Sequence, residues 1–380
     1  MDLRLGSPPD WRGFVTAAIV LSFDTNDTAS IHGFWPRLHQ LLVAMSRSTN
    51  ERARAFTFIL LLLCCNALSS TGGDVKFIKD RRSLVVSDGD ASCPPLIVLG
   101  GMAQSIQTWS HQLSALSRGS GRRGRGSGRR VFMYEPLGTG KRPETLSTPP
   151  QTYFQDVSIM TQGKDFWDVV DAAFPDSEVV DVAGFSFGGR IGMAASVLQP
   201  GRIRGLHLTG VGAERDALAD VLVKSWRDIL GAWPDHSSWS EDTSRLRAFA
   251  WGVILATYSE QALSSAGHER IQTWVKSVCE NNTEEGLRAI LDQTHDVDGE
   301  WTPLTMAPRI SSRTRVKVVV GSDDKISPPH QAERLAVILN GSAESSNFEV
   351  LKHCGHAAPM EAARAWRNDV LEFFARGNLC

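Results

Sequence analysis

The apolar residues of this chain follow a regular alternation that starts at residue 75. Short apolar runs that end in or near glycine, as in 95–101 and 178–185, are typical of buried parallel strands. Each is followed by a segment with apolar residues near helical spacing, as in 105–117 and 187–199. Alternating strands and helices predict an α/β fold with a mostly parallel, doubly wound sheet flanked by helices. Ligands of such sheets bind at the carboxyl ends of the strands.

The alternation breaks over residues 214–310, which are largely helical in pattern and hold six of the eleven tryptophans. A strand pattern resumes at 315–322, and the last helical pattern ends near residue 375. We therefore expect one α/β core, formed by 75–213 and 311–380, with 214–310 inserted at a strand end.

The first 74 residues differ from the rest and resemble a targeting extension. The apolar segment 55–68 is too short to span a bilayer comfortably, and arginines precede it while small residues follow it. This pattern favours a signal peptide, with translation of the protein beginning at Met45, or a transit-type extension. A short buried element of the domain is the alternative. The first two interpretations predict a secretory or organellar protein with no stable membrane span after processing.

Composition narrows the possible partners. The formal net charge is −2, so no global field favours nucleic acid. The six cysteines do not form a disulfide scaffold, and no ligand spacing predicts a metal or another cofactor. Residues 117–130 contain only Arg, Gly and Ser, which suits either an RNA-binding arm or a solvated loop insertion. We favour the insertion, because the segment offers no aromatic side chain for base stacking.

A candidate nucleophile lies directly after the strand pattern at 178–185. Ser186 stands in the sequence Gly-Phe-Ser-Phe-Gly, between that strand and a predicted helix. A sharp strand-to-helix turn needs small neighbours such as Gly184 and Gly188, and it lifts the central hydroxyl clear of the chain. A serine hydroxyl is a weak nucleophile and needs a base.

A base and an acid follow the last two predicted strands. His356 comes just after the final strand, whereas His353 is assigned to the strand itself. Asp323 and Asp324 follow the preceding strand. Nucleophile, acid and base thus occur in that order at three strand ends, which predicts nucleophilic hydrolysis of a small-molecule substrate.

Residues 75–376 resemble an α/β-hydrolase-fold protein. The motifs that carry the resemblance are GFSFG (184–188), GSDD (321–324), GHAAPME (355–361), LGGMAQSIQTW (99–109) and EPLGTGKRP (135–143). The resemblance implies that Asp324, the fourth residue of GSDD, is the acid. It further implies that the backbone N–H groups of Met102 and Phe187 form an oxyanion hole, and that 214–310 is a cap domain. Gly100-Gly101 replaces the usual His-Gly, and Tyr-Glu-Pro-Leu-Gly replaces Asp-x-Arg-Gly.

Three functions remain open. The first is a serine hydrolase of an ester or related acyl bond, with Trp226 and Trp251 among the tryptophans that suit an apolar pocket; core packing is their alternative role. The second is a lyase, because GFSFGGR is similar to the elbow of the menaquinone-pathway enzyme SHCHC synthase; that resemblance implies an anion-binding role for Arg190. The third is a small-molecule receptor on a hydrolase fold.

Overall fold

The computed structural model describes residues 75–85, 93–118, 129–140, 154–231, 244–294, 299–344 and 346–375. The predicted targeting extension and residues 119–128 of the Arg/Gly/Ser segment lie outside these ranges, as do Trp233 and Trp239.

Eight strands form one sheet in the order β1-β2-β4-β3-β5-β6-β7-β8. The first two strands form an antiparallel hairpin, and β2 pairs antiparallel with β4. All other neighbours are parallel, as the sequence predicts. The strands are β1 Val75–Ile78, β2 Arg81–Val85, β3 Leu96–Leu99, β4 Val131–Tyr134, β5 Val180–Phe185, β6 Ile203–Thr209, β7 Arg315–Gly321 and β8 Phe348–Leu351.

Helices follow most of these strands and cover both faces of the sheet. Ile97 and Leu99 of β3 enter one buried cluster, whereas Leu96 and Val98 enter the other, because successive side chains of a strand point to opposite faces. The core helices are α1 Ile106–Arg118, α2 Ile159–Ala173, α3 Phe187–Leu198, α9 Pro329–Asn340, α10 Ala358–Glu361 and α11 Ala363–Ala375.

The predicted insertion is helical in its described part and contributes to two buried clusters. Trp226 packs with Phe249 and Leu287 in one cluster, and Ile254 packs with Ile271 in another. The helices are α4 Ala217–Gly231, α5 Arg245–Thr257, α6 Glu260–Asn281, α7 Glu284–Thr294 and α8 Pro303–Met306, followed by a 3-10 turn at Ala307–Arg309. Within the described ranges, no helix has the length and apolar character needed to cross a membrane.

The Arg/Gly/Ser segment, which we expected to be a solvated loop insertion, is anchored in the core at both ends. Ser117 belongs to α1 and is buried. Arg129 forms an ion pair with the buried Asp181, and the Arg130 guanidinium lies 5.2 Å from the centre of the Phe174 ring. These arginines pack at the core because Asp181 forms an ion pair with one and the Phe174 ring contacts the other.

Candidate active site

The turn between β5 and α3 has the shape that the Gly-Phe-Ser-Phe-Gly pattern predicts. Ser186 adopts φ 52° and ψ −114°, a backbone conformation that costs a residue with a Cβ about 1–3 kcal/mol. A Cβ at Gly184 would lie 2.6 Å from the Cα of Gly189, and one at Gly188 would lie 2.5 Å from the Leu99 carbonyl oxygen. Glycine is required at both positions because the neighbouring backbone occupies that space.

His356 reaches the serine from the loop after β8. Its Nε2 lies 2.8 Å from Ser186 Oγ, and its ring is buried beside Phe185, with 5.2 Å between the ring centres. We expected His353 to lie on the last strand, and this prediction is wrong, because β8 ends at Leu351. It is an exposed turn residue with φ 56°.

Asp324 completes the chain of hydrogen bonds from the loop after β7. Its Oδ2 lies 2.8 Å from His356 Nδ1, and its Oδ1 accepts hydrogen bonds of 2.8 Å from the N–H groups of Ile326 and Ser327. An ionised carboxylate only accepts hydrogen bonds, so Nδ1 carries the proton and Nε2 is left to accept from the serine hydroxyl. Asp323 is exposed and accepts instead from the Ser322 hydroxyl.

The loop after β3 lies against this turn. The N–H of Gly188 donates to the carbonyl of Gly100 at 3.1 Å. Gln104 Oε1 braces the loop by accepting from the N–H of Gly101 at 2.9 Å and from Trp109 Nε1 at 2.8 Å. Sequence reasoning missed Gln104, although its position within LGGMAQSIQTW was a local signal.

Two cavities meet at Ser186. The smaller has a volume of about 120 Å³ and is lined by residues that include Phe187, Arg190 and Val223. The larger has a volume of about 620 Å³ and is lined by residues that include His356 and Trp274. The hydroxyl is therefore open to a bound molecule on two sides.

A sequence profile described as the alpha/beta hydrolase fold matches residues 94–363. The chain belongs to the α/β-hydrolase fold family.

Solved structures agree with this fold at low sequence identity. An enol-lactonase from Burkholderia xenovorans is 18% identical with a TM-score of 0.58, and covers 80% of this chain and 100% of its own. An esterase from Thermogutta terrifontis is 17% identical with a TM-score of 0.57, covering 80% and 98%. A putative non-heme bromoperoxidase from Mycobacterium tuberculosis is 16% identical with a TM-score of 0.57, covering 79% and 97%. No curated protein matches by sequence.

The other expected site residues of this α/β-hydrolase-fold protein lie in different places. Phe187 and Arg190 line the smaller cavity, where Arg190 also donates to the carbonyl of Thr294 at 3.0 Å, and Met102 lines both cavities. Trp226 lines both cavities. Trp251 lines neither and stacks on His268, with 5.7 Å between the ring centres, so its position corresponds to packing.

Glu361 ties the histidine loop to the helical insertion. Its carboxylate accepts from the N–H of Gly355 at 3.1 Å and from the Ser259 hydroxyl at 2.5 Å. Ala357 N–H donates to the carbonyl of Thr257 at 2.9 Å, which joins the same two segments. Sequence reasoning did not assign a role to Glu361, because its partner Ser259 lies 102 residues away in the chain.

Glu135 has a comparable structural role in the loop where the usual Asp-x-Arg-Gly pattern is replaced. It accepts a hydrogen bond of 3.0 Å from the N–H of Ile106 at the start of α1. Burial raises the pKa of Glu135, although this hydrogen bond and the charge of Arg82 oppose the rise. Among the described residues, no group of three or more His, Cys, Asp or Glu side chains is placed to hold a metal ion.

Proposed function

We propose that this protein is a serine hydrolase that cleaves an ester or related acyl bond of a largely apolar small molecule. The observation that carries the proposal is the continuous hydrogen-bonded chain from Ser186 through His356 to Asp324, with both cavities adjoining the serine. The similarity to an esterase and an enol-lactonase in fold is compatible with it.

The proposed reaction follows from the proton positions. His356 Nε2 takes the proton of Ser186 as its Oγ attacks the substrate carbonyl carbon, and Asp324 holds the imidazole in the required tautomer. The backbone N–H groups of Met102 and Phe187 are the donors we assign to the developing oxyanion. The neighbouring N–H groups of Gly101 and Gly188 already have acceptors within the protein.

A fluorophosphonate probe tests this proposal directly. We expect the probe to label the wild-type protein once, with the label mapping to Ser186 by peptide mass spectrometry. Ser186→Ala and His356→Ala should each reduce ester turnover by at least about 10³-fold, and the double variant should be hardly worse, because the two residues act as a unit. Ser225→Ala is the matched control, since Ser225 Oγ bonds only to the local helix carbonyl of Leu222 in the described structure. Turnover by Ser186→Ala without labelling of the wild type would refute the proposal.

The second candidate is a lyase acting on an anionic substrate, as the GFSFGGR similarity suggested. The observation that favours it is that Arg190 and Arg215 both line the smaller cavity beside Ser186. This function predicts weak ester turnover and a severe effect of Arg190→Met on an anionic substrate. The hydrolase predicts instead a modest effect of Arg190→Met on neutral esters.

A further inference from the structure

The two cavities at Ser186 differ in volume and in lining. The smaller has a volume of about 120 Å³ and the larger a volume of about 620 Å³, so the larger offers about five times the space. Aromatic side chains line the larger cavity, namely Phe185, Trp226, Tyr258 and Trp274. Tyr258 and Trp274 stack there, with 4.7 Å between their ring centres.

The proposed base lines only one of these cavities. His356 lines only the larger cavity, Phe187 lines only the smaller, and Met102, the other assigned oxyanion donor, lies between them and lines both. After it has taken the serine proton, the histidine must give that proton to the leaving oxygen of the substrate. The leaving group therefore has to lie on the His356 side of Ser186, and the acyl chain has to extend away from it.

We infer that the substrate is an ester of a short acyl group with a bulky, apolar, ring-containing alcohol; this inference rests on the proposed serine hydrolase function. The short acyl group occupies the smaller cavity. The alcohol occupies the larger cavity against the Tyr258–Trp274 stack.

The bonds balance as in ordinary ester hydrolysis. The new bond joins Ser186 Oγ to the carbonyl carbon, and the bond from that carbon to the alcohol oxygen breaks as His356 protonates the oxygen. Water then attacks the short acyl-enzyme with His356 as base, which releases a short carboxylic acid and restores the serine.

A matrix of esters tests the inference on the wild-type protein. Phenyl, 2-naphthyl and 4-biphenylyl acetates vary the alcohol among phenols of similar acidity, and 2-naphthyl acetate, butyrate and octanoate vary the acyl chain. We expect kcat/KM to rise about tenfold from phenyl to biphenylyl acetate. It should fall at least about tenfold from the butyrate to the octanoate of 2-naphthol. A methylene that fits or does not fit an apolar pocket changes kcat/KM by this order.

The outcomes separate this inference from the proposed function. Octanoates preferred over acetates, with no gain from a larger alcohol, would overturn the inference and leave the serine hydrolase intact. Failure to cleave any ester, together with failure of the fluorophosphonate to label, would remove the proposed function itself.

Two matched variants assign the groups to the cavities. Val223 lines only the smaller cavity and Ala262 only the larger. Val223→Ala should raise kcat/KM for 2-naphthyl octanoate relative to acetate, without altering the ranking of the acetates. Ala262→Phe should lower kcat/KM for biphenylyl acetate relative to phenyl acetate, without altering the ranking of the acyl chains. The reverse pattern would place the acyl group in the larger cavity and the alcohol in the smaller, and would refute the assignment. If either variant fails to fold, the ester series on the wild-type protein still tests the inference.

Discussion

Two buried histidine–aspartate pairs in this molecule have nearly the same geometry. His356 Nδ1 lies 2.8 Å from Asp324 Oδ2, and His207 Nε2 lies 2.8 Å from Asp369 Oδ2. Both imidazoles are almost inaccessible to solvent, at 3% and 0% exposure. Neither the distance nor the burial distinguishes the pair that we propose to be catalytic.

The difference lies at the other ring nitrogen. His356 presents its second nitrogen to Ser186, whose hydroxyl adjoins two cavities. The second nitrogen of His207 lies 3.4 Å from the hydroxyl of Thr209, which also accepts from Trp366 Nε1 in the core. A buried histidine–aspartate pair can therefore serve an active site or stabilise a core. What distinguishes the two roles here is whether the hydroxyl at the second ring nitrogen has a cavity beside it.

The largest effect expected within this comparison is on the catalytic side. Asp324→Asn should lower kcat by about 10²–10³-fold, because the amide cannot hold the Nδ1–H tautomer of His356 as the carboxylate does. Asp323→Asn, one residue away and exposed, is the matched control and should stay within about twofold. Steady-state turnover of 2-naphthyl acetate gives both values. Equal losses in the two variants would place the acid elsewhere.

His207→Ala should instead affect stability. Removal of the imidazole takes away the hydrogen-bond partner of the buried Asp369 Oδ2, while Lys317 still pairs with this carboxylate, so the free energy of unfolding should fall by about 1–3 kcal/mol. Turnover per folded molecule should remain within about threefold, because His207 contacts neither cavity. Urea unfolding of this variant and of Ser186→Ala gives the comparison. A loss of activity at unchanged stability would contradict the core role.

The second pair also predicts a pH dependence of stability. Burial raises the pKa of Asp369, but hydrogen bonds and charges from His207 and Lys317 outweigh it and bring the pKa down to about 2. A carboxyl with a lowered pKa stabilises the fold above its unfolded value of 3.8, and this contribution is lost as the pH falls toward 2. The expected loss is on the order of 2 kcal/mol.

Urea unfolding at pH 5 and pH 2.5 measures this effect. Asp369→Asn should reduce the difference in stability between the two pH values. An unchanged difference would show that other carboxyls account for the acid sensitivity.

The smallest effect concerns how each histidine is held. His207 lies in the central strand β6, whereas His356 lies in a loop that Glu361 joins to the insertion. Glu361→Gln keeps one acceptor oxygen but turns an amide N–H toward the Gly355 N–H or the Ser259 hydroxyl, both of which are donors. The histidine loop should therefore shift, which should lower kcat about tenfold and leave KM nearly unchanged. The exposed Glu333→Gln is the control. A loss of stability alone, with wild-type kcat, would make Glu361 purely structural.

The sequence predicted those features whose cause is local. The alternating strands, the turn at Ser186 and the placement of His356 and Asp324 at strand ends each follow from a few adjacent residues. The parallel register then brings the ends of β5, β7 and β8 to one edge of the sheet. The family resemblance, rather than spacing, separated Asp324 from Asp323.

Features that depend on contacts distant in the chain were not predictable in this way. Glu361 acquires its partner Ser259 only when α5 and α6 pack beside the histidine loop. Trp226 and Trp251 both lie on helices of the insertion, but only the first lines the cavities at Ser186, while the second stacks on His268. The cavity volumes likewise result from packing among several helices.

The backbone of Ser186 has a consequence for the protein's evolution and engineering. Glycine adopts a positive φ at far lower cost than serine, so Ser186→Gly would relieve part of the strain stored in this turn. A selection for thermal stability alone would therefore tend to remove the hydroxyl. Under the proposed function, serine at this position gives up the stability that glycine would supply and gains a nucleophile.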